Sequence, residues 1–374
     1  MDKFSPKHFI FLMMAGAIVA LKTYPLVFMD AGRDTWVAVI GSSVLIFLLF
    51  LFIVRTMKPA KDVTLLQVYE TAWGKRAGRP LILLYCVCVV LALIESASIE
   101  ADSMHQNMLV ETPSWYFLLF FVIPTLYVVR KNLVVVVIIC IVGISLIMVA
   151  GIHLGVLTTQ QKHIQDLFPV LENGITSGFW ASVFKSLGQY GGLMLVLPYF
   201  SMIGNKRDKL TKWAVIALII IIQIQIVSIT GVYMTFTPDI AQSYYYPKLV
   251  QTHLVSYFEM LEFGELYVML QILGGWLMKY VVAFQALLLV LSSFKLKERA
   301  LHIVAYVLTA LVLAVSWYLT GTSLRLFSVL NWLPWINLGG FIVLPALTFA
   351  LYRIRRRKPA AQTAAPAKDA AEKA

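Results

Sequence analysis

The sequence predicts an all-α membrane protein with about ten transmembrane helices, arranged as two halves of five. Mean hydropathy is +0.81, and 60% of the 374 residues are hydrophobic whereas only 13% are charged. Apolar runs of the ~20 residues needed to cross ~30 Å of hydrocarbon follow one another along most of the chain. Basic residues are concentrated in every second loop, which is the pattern of the positive-inside rule.

The predicted spans occupy most of the chain. Their approximate bounds are 7–28, 33–54, 80–107, 114–129, 132–152, 176–203, 213–235, 265–293, 300–320 and 324–352. Residues 1–7 lead into the first apolar run without a small-residue cleavage site, so we interpret them as the start of span 1 and not as a signal peptide. Residues 1–357 are therefore predicted to form one membrane domain. Residues 358–374, rich in Ala and charge, are predicted to be a disordered cytoplasmic tail.

The basic residues indicate the orientation of the protein. Most of the 31 lysines and arginines fall in the loops that are cytoplasmic if the N-terminus is inside. The loops on the other side hold only Arg33, Lys162, Lys248 and Arg325. We therefore expect both termini in the cytoplasm and an even number of spans. The net charge of +12 reflects this topology and does not predict a nucleic-acid partner.

The sequence does not predict an enzyme, a metal site or a cofactor. The cysteines Cys86, Cys88 and Cys140 lie in apolar spans, and the first two face different sides of one helix, so no disulfide is expected. The histidines have no zinc-type spacing, and no glycine-rich phosphate loop opens a helix. No nucleophile and base occur in a catalytic pattern.

Two interruptions predict where a solute binds. Because each half has an odd number of spans, homologous halves would insert with opposite orientation, which is the inverted-repeat plan of many secondary transporters. Span 1 is interrupted around Gly16–Pro25, and span 6, the first helix of the second half, around Gly188–Gly192. Paired interruptions of this kind favour a binding site at mid-membrane.

Four ionisable residues are predicted at depth in the bilayer: Lys22 in span 1, Glu95 in span 3, Lys185 in span 6 and Lys279 in span 8. Each charge at the bilayer centre costs about 2.5–3.5 kcal/mol, so each requires a partner or an aqueous cavity. One interpretation is a structural pair between Glu95 and a lysine, with the other lysines reaching outward. The other is a polar cavity for a zwitterionic or charged solute, in which the surplus of lysines favours a carboxylate.

Two loops are expected to carry short helices. Residues 63–73, in the loop before span 3, have a loosely helical apolar period that favours an interfacial helix. The long loop 236–264 is rich in aromatic residues, which either lie at headgroup depth or form part of a lid.

Over about residues 5–355 the chain resembles the B subunits of spore nutrient-germinant receptors, the spore germination permeases of the amino acid–polyamine–organocation superfamily. The resemblance rests on motifs in a fixed order: Thr23-x-Pro25, Asp34-Thr35-Trp36, Gly74-Lys75-x-x-Gly78, Thr112-Pro113, Phe168-Pro169-Val170-Leu171, Leu197-Pro198, Tyr246-Pro247, and Glu262-x-x-Glu265 ahead of Lys279.

This resemblance implies a LeuT-like fold with broken helices 1 and 6, and a multi-pass protein of the spore inner membrane. It implies a nutrient, usually an amino acid, bound between spans 1, 3, 6 and 8 to trigger germination, and A-subunit and lipoprotein C-subunit partners. The pocket by matching position would be Ile18, Ala20, Lys22, Ala92, Glu95, Gly188, Gln189, Gly192, Met278 and Lys279. The alternative function is a proton-coupled secondary amino-acid transporter.

The sequence departs from the family pattern at several pocket positions. Ile18 and Ala20 stand where small glycines are usual, and Gly192 stands where an acidic residue is common. The resulting surplus of positive charge favours a nutrient that carries an anionic group.

Overall fold

The structure is a computed structural model that describes residues 3–172, 174–204, 207–254 and 263–362. Within these residues the chain is helical throughout, and the one β-type contact is an isolated bridge between Phe4 and Ile203. The predicted all-α fold is therefore confirmed. Glu262 of the last sequence motif lies outside the described residues, and so does most of the second half of the 236–264 loop.

Ten helical segments occupy the positions of the predicted spans. Spans 1 to 5 are Phe9–Thr23, Thr35–Met57, Leu65–Asn107, Ser114–Val129 and Leu133–Leu157. Span 6 is an α-helix, Ser177–Gln189, followed by a 3₁₀ helix, Tyr190–Met202. Spans 7 to 9 are Leu210–Tyr233, Phe263–Ser292 and Glu298–Leu319. Span 10 consists of Ser323–Leu330, Leu333–Asn337, the π-helix Leu338–Val343 and Leu344–Gln362. Its last helix continues past residue 357, the predicted end of the membrane domain, and residues 363–374 lie outside the description.

Eight of the helical segments in the described part of the chain are long and apolar enough to cross a membrane, judged by length and composition. Spans 4 and 6 are the other two. Span 4 has 16 residues and is about 24 Å long at ~1.5 Å per residue. Span 6 is divided between two helix types, and its 3₁₀ half rises ~2.0 Å per residue, so together its halves are long enough to cross. Both segments coincide with predicted spans.

Burial separates central from peripheral helices. The most apolar part of span 1 is 78% buried and those of spans 3 and 8 are 67% buried, whereas that of span 9 is 28% buried. The peripheral helices expose large apolar side chains, among them Phe120, Ile138 and Val307. A surface with so many exposed apolar side chains is stable in contact with lipid hydrocarbon, because exposure of so large an apolar area to water is unfavourable. Spans 1, 3 and 8 are therefore the core of a membrane protein.

The helix of span 3 begins at Leu65, well before residue 80, where the sequence predicted the span to start. A capping box starts it, in which Gln67 N donates to Thr64 Oγ1 (3.3 Å) and Thr64 N donates to Gln67 Oε1 (2.9 Å). The predicted interfacial helix at 63–73 is this first part of span 3. Gly74, with φ of +79°, separates it from the remainder, because this backbone conformation is readily adopted only by glycine.

Both ends of the described chain lie on one face, called here the terminal face. Lys3 pairs with Asp62 at 2.7 Å, and Phe4 N donates to Met202 O at 3.1 Å. The buried Arg207 guanidinium donates to backbone carbonyls of Met57, Ala60 and Phe200. Arg356, near the end of span 10, donates to Pro59 O at 3.1 Å. The contacts tie the ends of spans 1, 2, 6 and 10 together, as an even number of spans requires.

The long loop after span 7 covers the opposite face with two short helices, Pro238–Ser243 and Pro247–His253. Tyr246 donates to Asp102 Oδ2 (2.6 Å), and Ser323 donates to Asp102 Oδ1 (2.7 Å). The Tyr246 ring also meets Phe327 edge-on, with centroids 5.4 Å apart. Tyr246 is 2% exposed, whereas Tyr244 is 39% exposed. The aromatic residues of this loop were expected either to form part of a lid or to lie at headgroup depth. The buried Tyr246 fits a lid, whereas the exposed Tyr244 fits a position at headgroup depth.

Candidate functional site

The break in span 1 places a tyrosine at the centre of the molecule. The α-helix ends at Thr23, and Tyr24 has φ −132° and ψ 66° before the 3₁₀ turn Pro25–Phe28. Pro25 disfavours a helical conformation at the residue before it, which explains why the helix ends here. The break is narrower than the predicted Gly16–Pro25, since Gly16, Ile18 and Ala20 lie within regular helix.

A buried ion pair joins spans 3 and 8 beside this tyrosine. Lys279 Nζ lies 2.7 Å from Glu95 Oε2, and the two side chains are 3% and 2% exposed. The Tyr24 hydroxyl donates to the other carboxylate oxygen, Glu95 Oε1. A carboxylate at this depth is tolerated because it is paired and hydrogen-bonded. One of the two sequence interpretations paired Glu95 with a lysine, and in the structure the lysine beside Glu95 is Lys279.

Span 6 reaches the same cluster through Gln189, the last residue of its α-helix. Its Oε1 atom lies 3.2 Å from the Tyr24 oxygen. The hydroxyl has one proton, and the shorter contact assigns it to Glu95. Residues from spans 1, 3, 6 and 8 therefore meet at one point.

Trp276 forms the wall of this cluster, one helical turn from Lys279 in span 8. Its ring stacks on Tyr24, with centroids 6.1 Å apart, and the Lys279 ammonium lies 4.9 Å from its centroid. That geometry gives a cation–π interaction. Trp276 Nε1 and Gln189 Nε2 are buried and have no hydrogen-bond partner among the described residues. The cluster therefore offers two unused donors close to the ion pair.

Close backbone contacts hold spans 1, 6 and 10 together beside the cluster. A methyl group on Gly192 would lie 2.3 Å from Gly16 O, and one on Gly188 would lie 1.9 Å from Pro334 O. Only glycine fits at either position. Gly188 and Gly192, both predicted pocket residues, are thus contact points between helices in this conformation.

The other predicted pocket residues lie elsewhere. Ala20 and Ala92 are buried in the core. Met278 packs against span 5, where its sulfur would lie 2.8 Å from a methyl group on Gly143. Lys185, predicted to be at depth, pairs with Asp30 at 2.7 Å in a partly exposed position near the opposite face.

Lys22 points away from Glu95 and lines a separate cavity of about 410 Å³ with Ile18. Its ammonium donates to Gln271 Oε1 at 2.5 Å. Of the ten predicted residues, the structure brings Glu95, Gln189 and Lys279 together, and it leaves Lys22 outside that group. Tyr24 and Trp276 were not among the predicted site residues. The proline after Tyr24, and the three-residue spacing between Trp276 and Lys279, are the patterns that indicate them.

Comparison with known proteins gives the fold and the family. Curated protein sequences yield no match. The crystal structure of MhsT in complex with L-phenylalanine superimposes with a TM-score of 0.66 at 13% identity, over 96% of this chain and 97% of that one. A mutant manganese transporter from Eremococcus coleocola superimposes with a TM-score of 0.55 at 13% identity, over 93% of this chain and 75% of that one.

Both structures have the fold of LeuT-type transporters, so the predicted LeuT-like fold is confirmed. The described molecule is a non-enzymatic, multi-pass membrane protein of the permease type. The profile of one family matches residues 4–323, which is most of the chain, and its description is "Spore germination protein". The predicted family is confirmed: this chain belongs to the spore germination protein family.

Proposed function

We propose that this protein is the nutrient-sensing subunit of a spore germinant receptor, and that it binds an amino acid or similar zwitterion at the Glu95–Lys279 pair. The observation that carries the proposal is this pair, buried where spans 1, 3, 6 and 8 meet. The family and the fold support a germination-related permease-like protein.

The chemistry of the pair suits a zwitterion. A solute ammonium would take the place of Lys279 at Glu95, and a solute carboxylate would take the place of Glu95 at Lys279. Each buried charge then keeps an opposite charge, so the desolvation cost of the pair is not increased. The unused donors Trp276 Nε1 and Gln189 Nε2 add hydrogen bonds for the carboxylate. A solute with only a positive or only a negative charge would leave either Glu95 or Lys279 unpaired. Binding of such a solute is therefore disfavoured.

Solute binding would shift the conformation because it separates spans 3 and 8. A ligand changes an equilibrium only by its differential affinity for the two states. The state with the ion pair closed excludes the solute, so binding selects a state in which the pair is parted. Spans 1 and 6 connect this point to the terminal face, where the A and lipoprotein C subunits would detect the change. We place that face in the cytoplasm and the protein in the spore inner membrane.

The proposal is tested in spores that lack other nutrient receptors and express this subunit with its partners. Glu95→Gln keeps the size of the side chain but removes the charge that holds the solute ammonium. We expect the nutrient concentration for half-maximal germination to increase at least about tenfold, which corresponds to ~1.4 kcal/mol. Because this change also leaves Lys279 unpaired, immunoblots measure the amount of protein in the membrane, and germination is compared at equal amounts.

Glu111→Gln is the matched control, because Glu111 is an exposed carboxylate in the turn that follows the same span and should leave germination unchanged. A normal nutrient response of Glu95→Gln spores would remove the pair from the mechanism.

A proton-coupled amino-acid transporter is the second candidate. It is favoured by the same observation, since a titratable pair at the centre of a transporter fold is a site for coupled proton movement. Uptake into proteoliposomes separates the two: accumulation that depends on a pH gradient supports transport, and binding without accumulation supports sensing.

A further inference from the structure

The cavity that contains Lys22 is a second polar feature, distinct from the Glu95–Lys279 cluster. It is about 410 Å³ in volume and lies between spans 1, 5, 7 and 8 and the loop helix Pro247–His253. Small-molecule sites typically have ~300–1,000 Å³. Its lining residues are Ile18, Lys22, Ile147, Met148, Gly151, Ile152, Leu154, Gly155, Lys162, Ile220, Gln223, Ile224, Val227, Ser228, Lys248 and Gln271.

Three lysines converge at the end of the cavity nearest the opposite face. A methyl group on Gly231 would lie 3.6 Å from Lys248 Nζ and 3.9 Å from Lys162 Nζ. Lys22 enters from the end of span 1. The cavity lining contains no aspartate or glutamate among the described residues. Three lysine side chains thus share one site without a carboxylate from the described lining.

The hydrogen bonds of these lysines are few and neutral. Lys22 donates to Gln271 Oε1 at 2.5 Å, Lys248 donates to Gln251 Oε1 at 2.7 Å, and Lys162 donates weakly to Gly155 O at 3.4 Å. An ammonium group has three donors, so each lysine has donors to spare. Gln271, which is 6% exposed, has an amide nitrogen with no partner in the described parts of the chain.

The pKa values of Lys248 and Lys162 agree with a site in which these lysines have no carboxylate partner from the described lining. Burial, followed by the charges of Lys162 and Lys22, lowers the pKa of Lys248 to about 7. Burial also lowers the pKa of Lys162. An anion in the cavity would oppose both effects because it favours the ammonium forms.

The rest of the cavity is apolar and opens toward the membrane. Most lining residues are Ile, Leu, Val, Met or Gly. Ile152 of span 5 and Val227 of span 7 are 64% and 53% exposed, which marks an opening between these spans on the lipid-facing surface. Charged groups at one end and an apolar body suit an amphiphile better than a simple ion.

We propose that this cavity binds an organic anion, with its carboxylate or phosphate held by Lys22, Lys162 and Lys248 and its apolar part between spans 1, 5 and 7. Such a molecule could be an anionic phospholipid that enters from the bilayer or a free apolar carboxylate that enters from the aqueous side. The inference does not depend on the proposed function, and Glu95→Gln should leave this affinity unchanged.

Binding is tested with the purified full chain in phosphatidylcholine nanodiscs. One arm measures retention of short-chain phosphatidylglycerol by native mass spectrometry. The other arm titrates octanoate by calorimetry, with octanol as the neutral counterpart. We expect one of the two anions to bind and the neutral molecule to bind at least about tenfold more weakly. Phosphatidylglycerol binding alone identifies a lipid site, and octanoate binding identifies a soluble ligand.

The decisive variant replaces all three lysines, K22Q/K162Q/K248Q. We expect its affinity for the bound anion to fall on the order of 100-fold, since each lysine near a membrane surface contributes roughly fivefold. The matched control K7Q/K131Q/K212Q removes the same charge from the terminal face and should bind like the wild type. If the triple variant does not fold, Lys162→Gln alone should still weaken binding about fivefold.

Two further readouts distinguish a specific site. Affinity should fall as pH rises from 6 to 8, because Lys248 loses its proton over this interval while Lys162 and Lys22 face it and Gln251 cannot titrate. Val227→Trp should obstruct the lateral opening and weaken lipid binding. Equal affinity of wild type and K22Q/K162Q/K248Q, or no preference for the anion over its neutral counterpart, would overturn the proposal.

Discussion

The Glu95–Lys279 pair is both the proposed solute site and a necessary part of the fold. Each charge is buried by more than nine-tenths, so neither can exchange its partner for water. Removal of one partner leaves the other unpaired in a low-dielectric interior, which typically costs ~3–5 kcal/mol. Removal of both eliminates this cost. The pair can therefore be separated experimentally into its structural and its solute-binding contributions.

We expect Lys279→Met to lower the thermal stability of the purified protein by the equivalent of ~3–5 kcal/mol, and the double variant Glu95→Gln/Lys279→Met to recover most of the loss. The surface pair Glu70–Arg79, 2.8 Å apart with Arg79 58% exposed, is the control, and Arg79→Met should cost at most about 1 kcal/mol. Thermal unfolding in detergent measures all of these. A double variant as unstable as Lys279→Met would contradict the pairing.

At the same scale, the sequence could predict that Glu95 and a lysine share a site, but not which lysine. Lys22 lies in the last turn of the span 1 helix, and Tyr24 directly follows the end of that helix. Their separation of two positions corresponds to about 200° around the helix axis. Tyr24 faces Glu95, so Lys22 faces the other side. Only the rotation of span 1 about its axis decides between them, and packing against neighbouring spans sets that rotation.

Among the elements, spans 1 and 6 depend on glycines where their backbones touch. The predicted interruption of span 6 at Gly188–Gly192 is present, since the α-helix passes into 3₁₀ at Tyr190. The interruption of span 1 was predicted too broadly, because Gly16 indicated a break where the structure has a close helix contact. A glycine in a sequence does not distinguish a flexible backbone from a crowded one.

Gly192→Ala should therefore destabilise the protein strongly, since the added methyl group would lie 2.3 Å from Gly16 O, a backbone atom held by its helix. We expect a loss of ~1–3 kcal/mol or more, as in other overpacked cores. Gly155→Ala in span 5 is the matched control, since nothing lies within 4 Å of its added methyl group. Thermal unfolding should show an unchanged or slightly higher midpoint for Gly155→Ala. Equal thermal unfolding midpoints for the two variants would contradict the predicted steric clash between residue 192 and Gly16.

For the whole molecule, composition and charge placement predicted most of the architecture. Lipid-facing helices must be apolar over their full length, and this requirement is visible in any sequence. The location of the central cluster was partly predictable, because the inverted repeat directs attention to spans 1, 3, 6 and 8. The three-lysine cavity was not, since Lys162 and Lys248 lie in loops whose folded positions leave no periodic pattern.

The proposed orientation is checked by cysteine labelling. Cys86, Cys88 and Cys140 are all buried, so the wild-type chain should not react with a membrane-impermeant maleimide. Gln165→Cys, exposed on the opposite face, should be labelled in intact cells. Lys61→Cys, exposed on the terminal face, should be labelled only after permeabilisation. The reverse result would place the terminal face outside the cytoplasm.

The two hydrogen bonds that the Asp102 carboxylate accepts would affect how fast the proposed ligand enters and leaves the site. The carboxylate holds the loop through Tyr246 and span 10 through Ser323, so withdrawal of the cover must break one of these bonds at a buried site. If the protein is the proposed receptor, a site closed in this way would exchange its nutrient slowly in both directions. The site would then stay occupied after the pulse of nutrient has ended. A spore would respond to a nutrient that has already been diluted.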